Sequence, residues 1–328
     1  MLIFGIETSC DETAAAIIKD GREVIANVVA TQIKTHEKFG GVIPEIAARE
    51  HLDAINVVID ETFEIAKKNF NIEPNDIDAF SSTVGPGLVG CLLVGLNAAK
   101  SLSLVYNKPY IGINHLQGHV CANFLETELK PPFICLLVSG GHTQVIKVED
   151  YDKQEIIAST IDDATGEVYD KVARLMGLPY PGGIKLDKLA QTGNPKAFIL
   201  PKAKVKENEF SFSGLKTAVL RLVQSYKGGE LPVADICASF QENITSTLID
   251  KTKKLADKYN IKTIVLSGGV AANSELRKKL FALQDMGYKT FAPQMKFCTD
   301  NAAMVASCAY FNPIKTDDPL ILEAFSRS

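Results

Sequence analysis

Apolar positions in the first thirty residues fall into three short runs, "LIFGIE", "TAAAIIK" and "EVIANVV", separated by the polar turns "TSCDE" and "KDGR". Runs of this length with polar punctuation predict three consecutive strands, an opening β-meander. The pattern returns from Phe133 as "FICLLVSGG", "HTQVIKVE" and "EIIASTI". Between the two meanders the spacing changes. "PEIAAREHLDAINVVIDETFEIAKK" repeats apolar residues every three or four positions behind Pro44, a residue suited to a first helical turn. "DIDAFSSTV" reads as a short strand, "PGLVGCLLVGLNAAKSLSLV" as a buried helix rich in small residues, and "KPYIGIN" as a strand running into "HLQGH".

After the second meander the periodicity predicts helices near 167–176, 214–226 and 232–259, a strand "KTIVLSGG", a helix over about 271–283 and a last helix behind "CTDN". A meander followed by strands and helices, made twice, resembles the duplicated actin-like ATPase architecture. It implies an α/β chain of two lobes around a central nucleotide and metal cleft, with 1–130 as the first lobe and 131–328 as the second. The second lobe carries a helical insertion around 165–235, and the last helix is the element that could pack back on the first lobe. Such a fold hosts many functions and selects none of them.

Composition narrows the setting. The chain has 328 residues, 46% of them hydrophobic, enough for two cores. No run of about 18 apolar residues predicts a membrane span, and "MLIFGIETSCDET" has no basic leader, so membrane insertion and secretion are not expected. Seven dispersed cysteines without a CxxC pair point to reduced thiols and a cytoplasmic location. A net charge of −4 offers no global attraction to nucleic acid, so such a partner needs a local basic surface.

Three turns then carry the candidate chemistry. "GIETSCDET", "LLVSGGHTQ" and "IVLSGGVAAN" follow apolar strands, and their small residues let backbone N–H groups approach phosphate oxygens. Asp11 and Glu12 place carboxylates in the first of them, as solvated turn acids or as proton-transfer groups. His115 and His119 are four residues apart on a predicted helix and face one side, so they can share an ion. A zincin protease needs Glu directly after the first histidine, where this chain has Leu116. Asp300 in "FCTDNAAM" is the candidate third ligand, with helix capping as its ordinary role. Two imidazoles and a carboxylate suit Fe(II) or Zn(II) with open positions. "PKAKVKENEFSFSGLK" interleaves Lys202, Lys204, Lys206 and Lys216 with Phe210 and Phe212, a candidate contact for nucleic acid or, for the phenylalanines, core.

In order and spacing, "GIETSCDET", "HLQGH", "LLVSGGHTQ", "DDATGEVYDKVARLMGLPYPGG", "FSFSGLKTA", "LSGGVAANSELR" and "CTDNAAM" resemble the bacterial TsaD family of tRNA N6-adenosine threonylcarbamoyltransferases, from Gly5 to about Tyr310. The resemblance implies transfer of a threonylcarbamoyl group from threonylcarbamoyl-AMP to the adenosine following the anticodon in tRNAs reading codons that begin with A. It implies His115, His119 and Asp300 as metal ligands, Fe(2+) first and Zn(2+) as the alternative. It maps substrate contacts onto Leu137, Val138, Ser139, Gly140, Gly141, Asp170, Gly183, Asp187 and Asn273, and implies TsaB and TsaE as partner proteins. Many members carry Glu where this chain has Gln117, which lies between the histidines on another helix face. A small-molecule kinase of the same fold, or another metal-dependent carbamoyltransferase, is the competing reading.

Overall fold

A computed structural model describes residues 1–226 and 230–326. The chain forms two compact units, one of Met1–Lys130 with the chain from Pro293 onward, the other of Pro131–Ala292.

The first unit opens with strands β1 (Leu2–Glu7), β2 (Glu12–Lys19) and β3 (Glu23–Thr31), the antiparallel meander read from the sequence. Helices α1 (Ile33–Glu37) and α2 (Pro44–Phe70), strand β4 (Ala79–Gly85), helix α3 (Val89–Val105), strand β5 (Tyr110–Asn114) and helix α4 (His115–Cys121) follow. The sheet order is β3-β2-β1-β4-β5, with β4 and β5 parallel to β1. Central strands are covered on both faces, which is why β4 is buried at all seven positions rather than at alternate ones. Pro44 occupies the first turn of α2 and Asn71 ends it in a left-handed conformation; Ala47, His51, Ile55, Val58, Thr62 and Ala66 form its buried stripe.

The second unit repeats the plan. Strands β6 (Phe133–Val138), β7 (Thr143–Asp150) and β8 (Lys153–Thr160) form the second meander. Helices α5 (Thr165–Leu175) and α6 (Gly182–Ala190), the short strand β9 (Glu209–Phe210), and helices α7 (Ser213–Ser225) and α8 (Val233–Lys258) lead to β10 (Thr263–Ser267), α9 (Ser274–Ala282) and β11 (Lys289–Phe291). The order β11-β10-β6-β7-β8-β9 matches the first sheet strand for strand, apart from the added edge strand β9.

The last helix, α10 (Ala302–Phe311), joins the first unit, so the chain from Pro293 on leaves the lobe in which its sequence position would group it. Two neighbours on β1 show why. Phe4 stacks on Phe63 of α2, while a Cβ on Gly5 would lie 2.7 Å from the carbonyl oxygen of Ala302. Successive strand residues point to opposite faces, so α10 lies against the face away from α2, and Gly5 provides the close approach. Small residues from Ala302 to Ala309 are buried without a polar face. Among the described residues, no helix is long and apolar enough to cross a membrane.

Candidate metal centre and glycine turns

Strand β5 delivers the chain to α4, and Asn114 caps that helix by accepting hydrogen bonds from the Leu116 and Gln117 N–H groups. The cap fixes His115 as the first helical residue and places His119 one turn on. Their rings meet edge to face with centroids 4.7 Å apart. At the other side, Asn301 caps α10 by accepting from the Met304 N–H. Asp300 is thereby released from the capping role its position suggested. Its Oδ1 lies 3.2 Å from His119 Nε2 and 3.6 Å from His115 Nε2. One ligand atom from each of the three residues falls within 4.8 Å of the others.

All three residues belong to the first unit, because α10 returns there. Ligands about 2.0 to 2.2 Å from a tetrahedral or octahedral ion sit roughly 3 to 3.5 Å apart, close to the 3.2 and 3.6 Å that separate Asp300 Oδ1 from the two Nε2 atoms. Burial alone would lower the His115 pKa, but Asp300 and then Glu7 outweigh it and raise it to about 9. The two imidazoles hold Asp300 down at about 2, against the upward push of its own burial. Gln117 is half-buried.

The first turn lies beside this group. Thr8 is pinned to α3, donating from Oγ1 to the Cys91 carbonyl and accepting from the Gly95 N–H. Ser9 Oγ lies 3.1 Å from His115 Nδ1. Buried His51 bridges Thr13 Oγ1 and the Cys10 carbonyl, 2.8 and 3.0 Å away. Glu12 is pushed up to about 10 by burial, then by Asp300 and Asp11.

In the second unit, Leu137 and Val138 are fully buried in β6, so they shape the backbone and present no side chain. Ser139 closes the following turn, its N–H donating to the His142 carbonyl and its carbonyl accepting from Gly166 of α5. Gly140 and Gly141 stay open, since a Cβ on either would meet nothing within 4 Å. Asp170 on α5 accepts from the Gly182 and Gly183 N–H groups, at 2.9 and 3.1 Å, and so caps α6. On α6, Asp187 Oδ1 accepts from Gln241 Nε2, Asn273 Nδ2 and Ser274 Oγ. Asn273 also caps α9 and donates to Gln241 Oε1. Four of the predicted residues are thus joined in pairs: Asp170 with Gly183, and Asp187 with Asn273.

The basic segment divides differently. Phe210 and Phe212 are buried, at 0% and 1% exposure, and stack on each other. Lys216 pairs with Asp163, Lys206 with Glu209, and Lys202 lies 3.7 Å from Asp250.

A model of the tRNA N6-adenosine threonylcarbamoyltransferase family matches residues 23–307. Proteins carrying that name from Caldicellulosiruptor saccharolyticus and Gloeothece citriformis are 50% and 52% identical, over 96% and 94% of this chain and 94% and 92% of theirs. The chain belongs to this family.

Solved structures support the fold of this threonylcarbamoyltransferase family member independently of its sequence. Full-length HypF, in a phosphate- and nucleotide-bound form, aligns at a TM-score of 0.64 and 16% identity over 100% of this chain and 47% of its own. Component A of the (R)-2-hydroxyglutaryl-CoA dehydratase of Acidaminococcus fermentans aligns at 0.53 and 18%, covering 94% and 98%. The architecture is the duplicated actin-like ATPase fold. Four residues that the sequence did not single out join these hydrogen-bond networks, Glu7, Ser9, Thr83 and Gln241. Glu7 and Ser9 stood inside a quoted motif, but only the pairing of β1 with β4 brings Thr83 to Glu7.

Proposed function

We propose that this chain transfers the threonylcarbamoyl group of threonylcarbamoyl-AMP to N6 of the adenosine following the anticodon in tRNAs reading codons that begin with A. The observation that carries this reading is the match at about half identity to curated transferases along nearly the whole of both chains. The donor is a mixed anhydride, so the step needs orientation and charge stabilisation rather than a fresh source of phosphoryl energy. The adenine N6 forms a bond to the carbamoyl carbon, the bond from that carbon to the phosphate oxygen breaks, AMP leaves, and one N6 proton passes to a base.

Asp11 is assigned as that base, with Glu12, its neighbour in the chain, as the second carboxyl of the same turn. The open backbone at Gly140 and Gly141 is assigned to the phosphate, while Asp170 holds Gly183, and the Asp187 and Asn273 pair holds the start of α9. A divalent ion on His115, His119 and Asp300, Fe(2+) before Zn(2+) as the family resemblance implies, would supply an electrophilic centre for donor oxygens. TsaB and TsaE are the partner proteins expected from the family, and a cytoplasmic setting agrees with seven free thiols.

The test is nucleoside mass spectrometry of unmodified tRNA incubated with the purified chain, the two partners and threonylcarbamoyl-AMP. Threonylcarbamoyladenosine at the position after the anticodon is expected. Phosphorylation of a sugar or acid from ATP, with no tRNA product, would favour the small-molecule kinase instead.

A further inference from the structure

Glu7 ends β1 with its side chain at 0% exposure. Its Oε1 accepts from the Ser9 N–H, and its Oε2 accepts from the Thr83 hydroxyl at 2.7 Å and lies 3.2 Å from His115 Nδ1. The same ring nitrogen has Ser9 Oγ at 3.1 Å. A lone pair on Nδ1 would point at a carboxylate oxygen, so the proton belongs on Nδ1 and the free lone pair on Nε2. Nε2 is the atom that faces Asp300.

We infer that Glu7 is a positioning residue: it holds His115 in the Nδ1–H tautomer and fixes the ring plane, so that Nε2 is presented to the ion. The inference rests on His115, His119 and Asp300 being a metal centre. It is specific in chemistry, because a glutamine at this position keeps the volume and can still accept from the Ser9 N–H, which leaves its NH2 group in the place of Oε2. Its amide, however, would present a donor to Nδ1 and favour the opposite tautomer, with the proton on Nε2 where the ion should be. A carboxylate behind a metal-bound imidazole typically accounts for 10- to 100-fold in metal affinity.

The experiment titrates full-length protein with Zn(II), and anaerobically with Fe(II), against a colorimetric chelator, for the native chain, Glu7→Gln and His115→Ala. The native chain should bind one ion, His115→Ala should lose it, and Glu7→Gln should keep the stoichiometry with roughly 10- to 100-fold weaker affinity. Native affinity in Glu7→Gln beside loss in His115→Ala overturns the role of Glu7. Native affinity in His115→Ala overturns the metal centre itself. A second measurement needs no variant: long-range 15N spectra of histidine-labelled, zinc-loaded native protein should show His115 protonated at Nδ1. A metal-bound Nδ1 or a proton on Nε2 would refute the inference.

Discussion

Gly5→Ala perturbs the site through packing alone, two strand positions from Glu7. The added methyl would sit 2.7 Å from the Ala302 carbonyl oxygen, 2.9 Å from the Ala306 nitrogen and 3.0 Å from its Cβ. Carbon contacts are comfortable from about 3.5 Å, so α10 has to withdraw by roughly 0.5 to 0.8 Å. The first two obstacles are backbone atoms, and no rotamer change relieves them. Residues Ala302 to Ala309 are buried, and a gap of that size along a closely packed helix costs about 1 to 3 kcal/mol. Asp300 precedes the helix by two residues and moves with it, while metal–ligand distances tolerate only about 0.2 Å. Urea unfolding of the metal-free protein and chelator competition with Zn(II) measure the two consequences. A lower midpoint together with at least about tenfold weaker zinc binding is expected, on the scale of lost support around a ligand. An unchanged midpoint would show that α10 has slack above Gly5; a lower midpoint with native zinc affinity would show that α10 does not set the place of Asp300.

Other consequences can be checked separately. Asp11→Asn should cut the transfer rate per bound donor by about 100-fold or more while donor affinity changes little, as expected for a general base; a loss of affinity at an unchanged rate would assign it to binding instead. Glu12 binds its proton more tightly folded, with a pKa of about 10 raised by burial and by Asp300 and Asp11, than unfolded, so its contribution to stability is full below about pH 4.5 and is lost as pH rises towards 10. Melting temperatures of the metal-free protein should therefore fall more across pH 5 to 9 in the native chain than in Glu12→Gln, and parallel profiles would exclude Glu12 as the cause. Charge reversal of Lys202 and Lys204 should weaken tRNA binding and reduce the slope of log affinity against log salt by roughly 1.5; an unaltered slope would remove this segment from the tRNA surface.

The strands were legible because central strands must be apolar on both faces, and "FICLLV" and "AFSSTV" are small or apolar throughout. Helix α6 was not, since "PGGIKLDKLA" opens on residues with poor helical propensity. Its first turn depends on Asp170, twelve residues before Gly182, accepting the free N–H groups. The strands β9 and β11, of two and three residues, exist through pairing with β8 and β10 and leave no local pattern. The destination of α10 was hidden for a related reason: "AAMVASCAYF" has almost no polar face to orient it, and Gly5 that receives it lies near the other end of the chain. In the candidate site, the histidine pair and Asp300 were readable from spacing and residue type. Glu7 was not, because a strand-ending acid acquires its meaning only when β4 brings Thr83 beside it and α4 brings His115.

A metal ion held by His115, His119 and Asp300 would serve the transfer reaction directly, and losing Asp300 tests that role. Asp300→Ala leaves the Asn301 cap of α10 in place, so the helix retains its N-terminal support while the ligand is lost. The measurement is bound metal and threonylcarbamoyladenosine in the same preparations of native and Asp300→Ala protein, after reaction with threonylcarbamoyl-AMP, tRNA and the partners. Loss of stoichiometric metal and of the modified nucleoside together is the expected result. Native levels of modified tRNA from fully demetallated Asp300→Ala protein would contradict it.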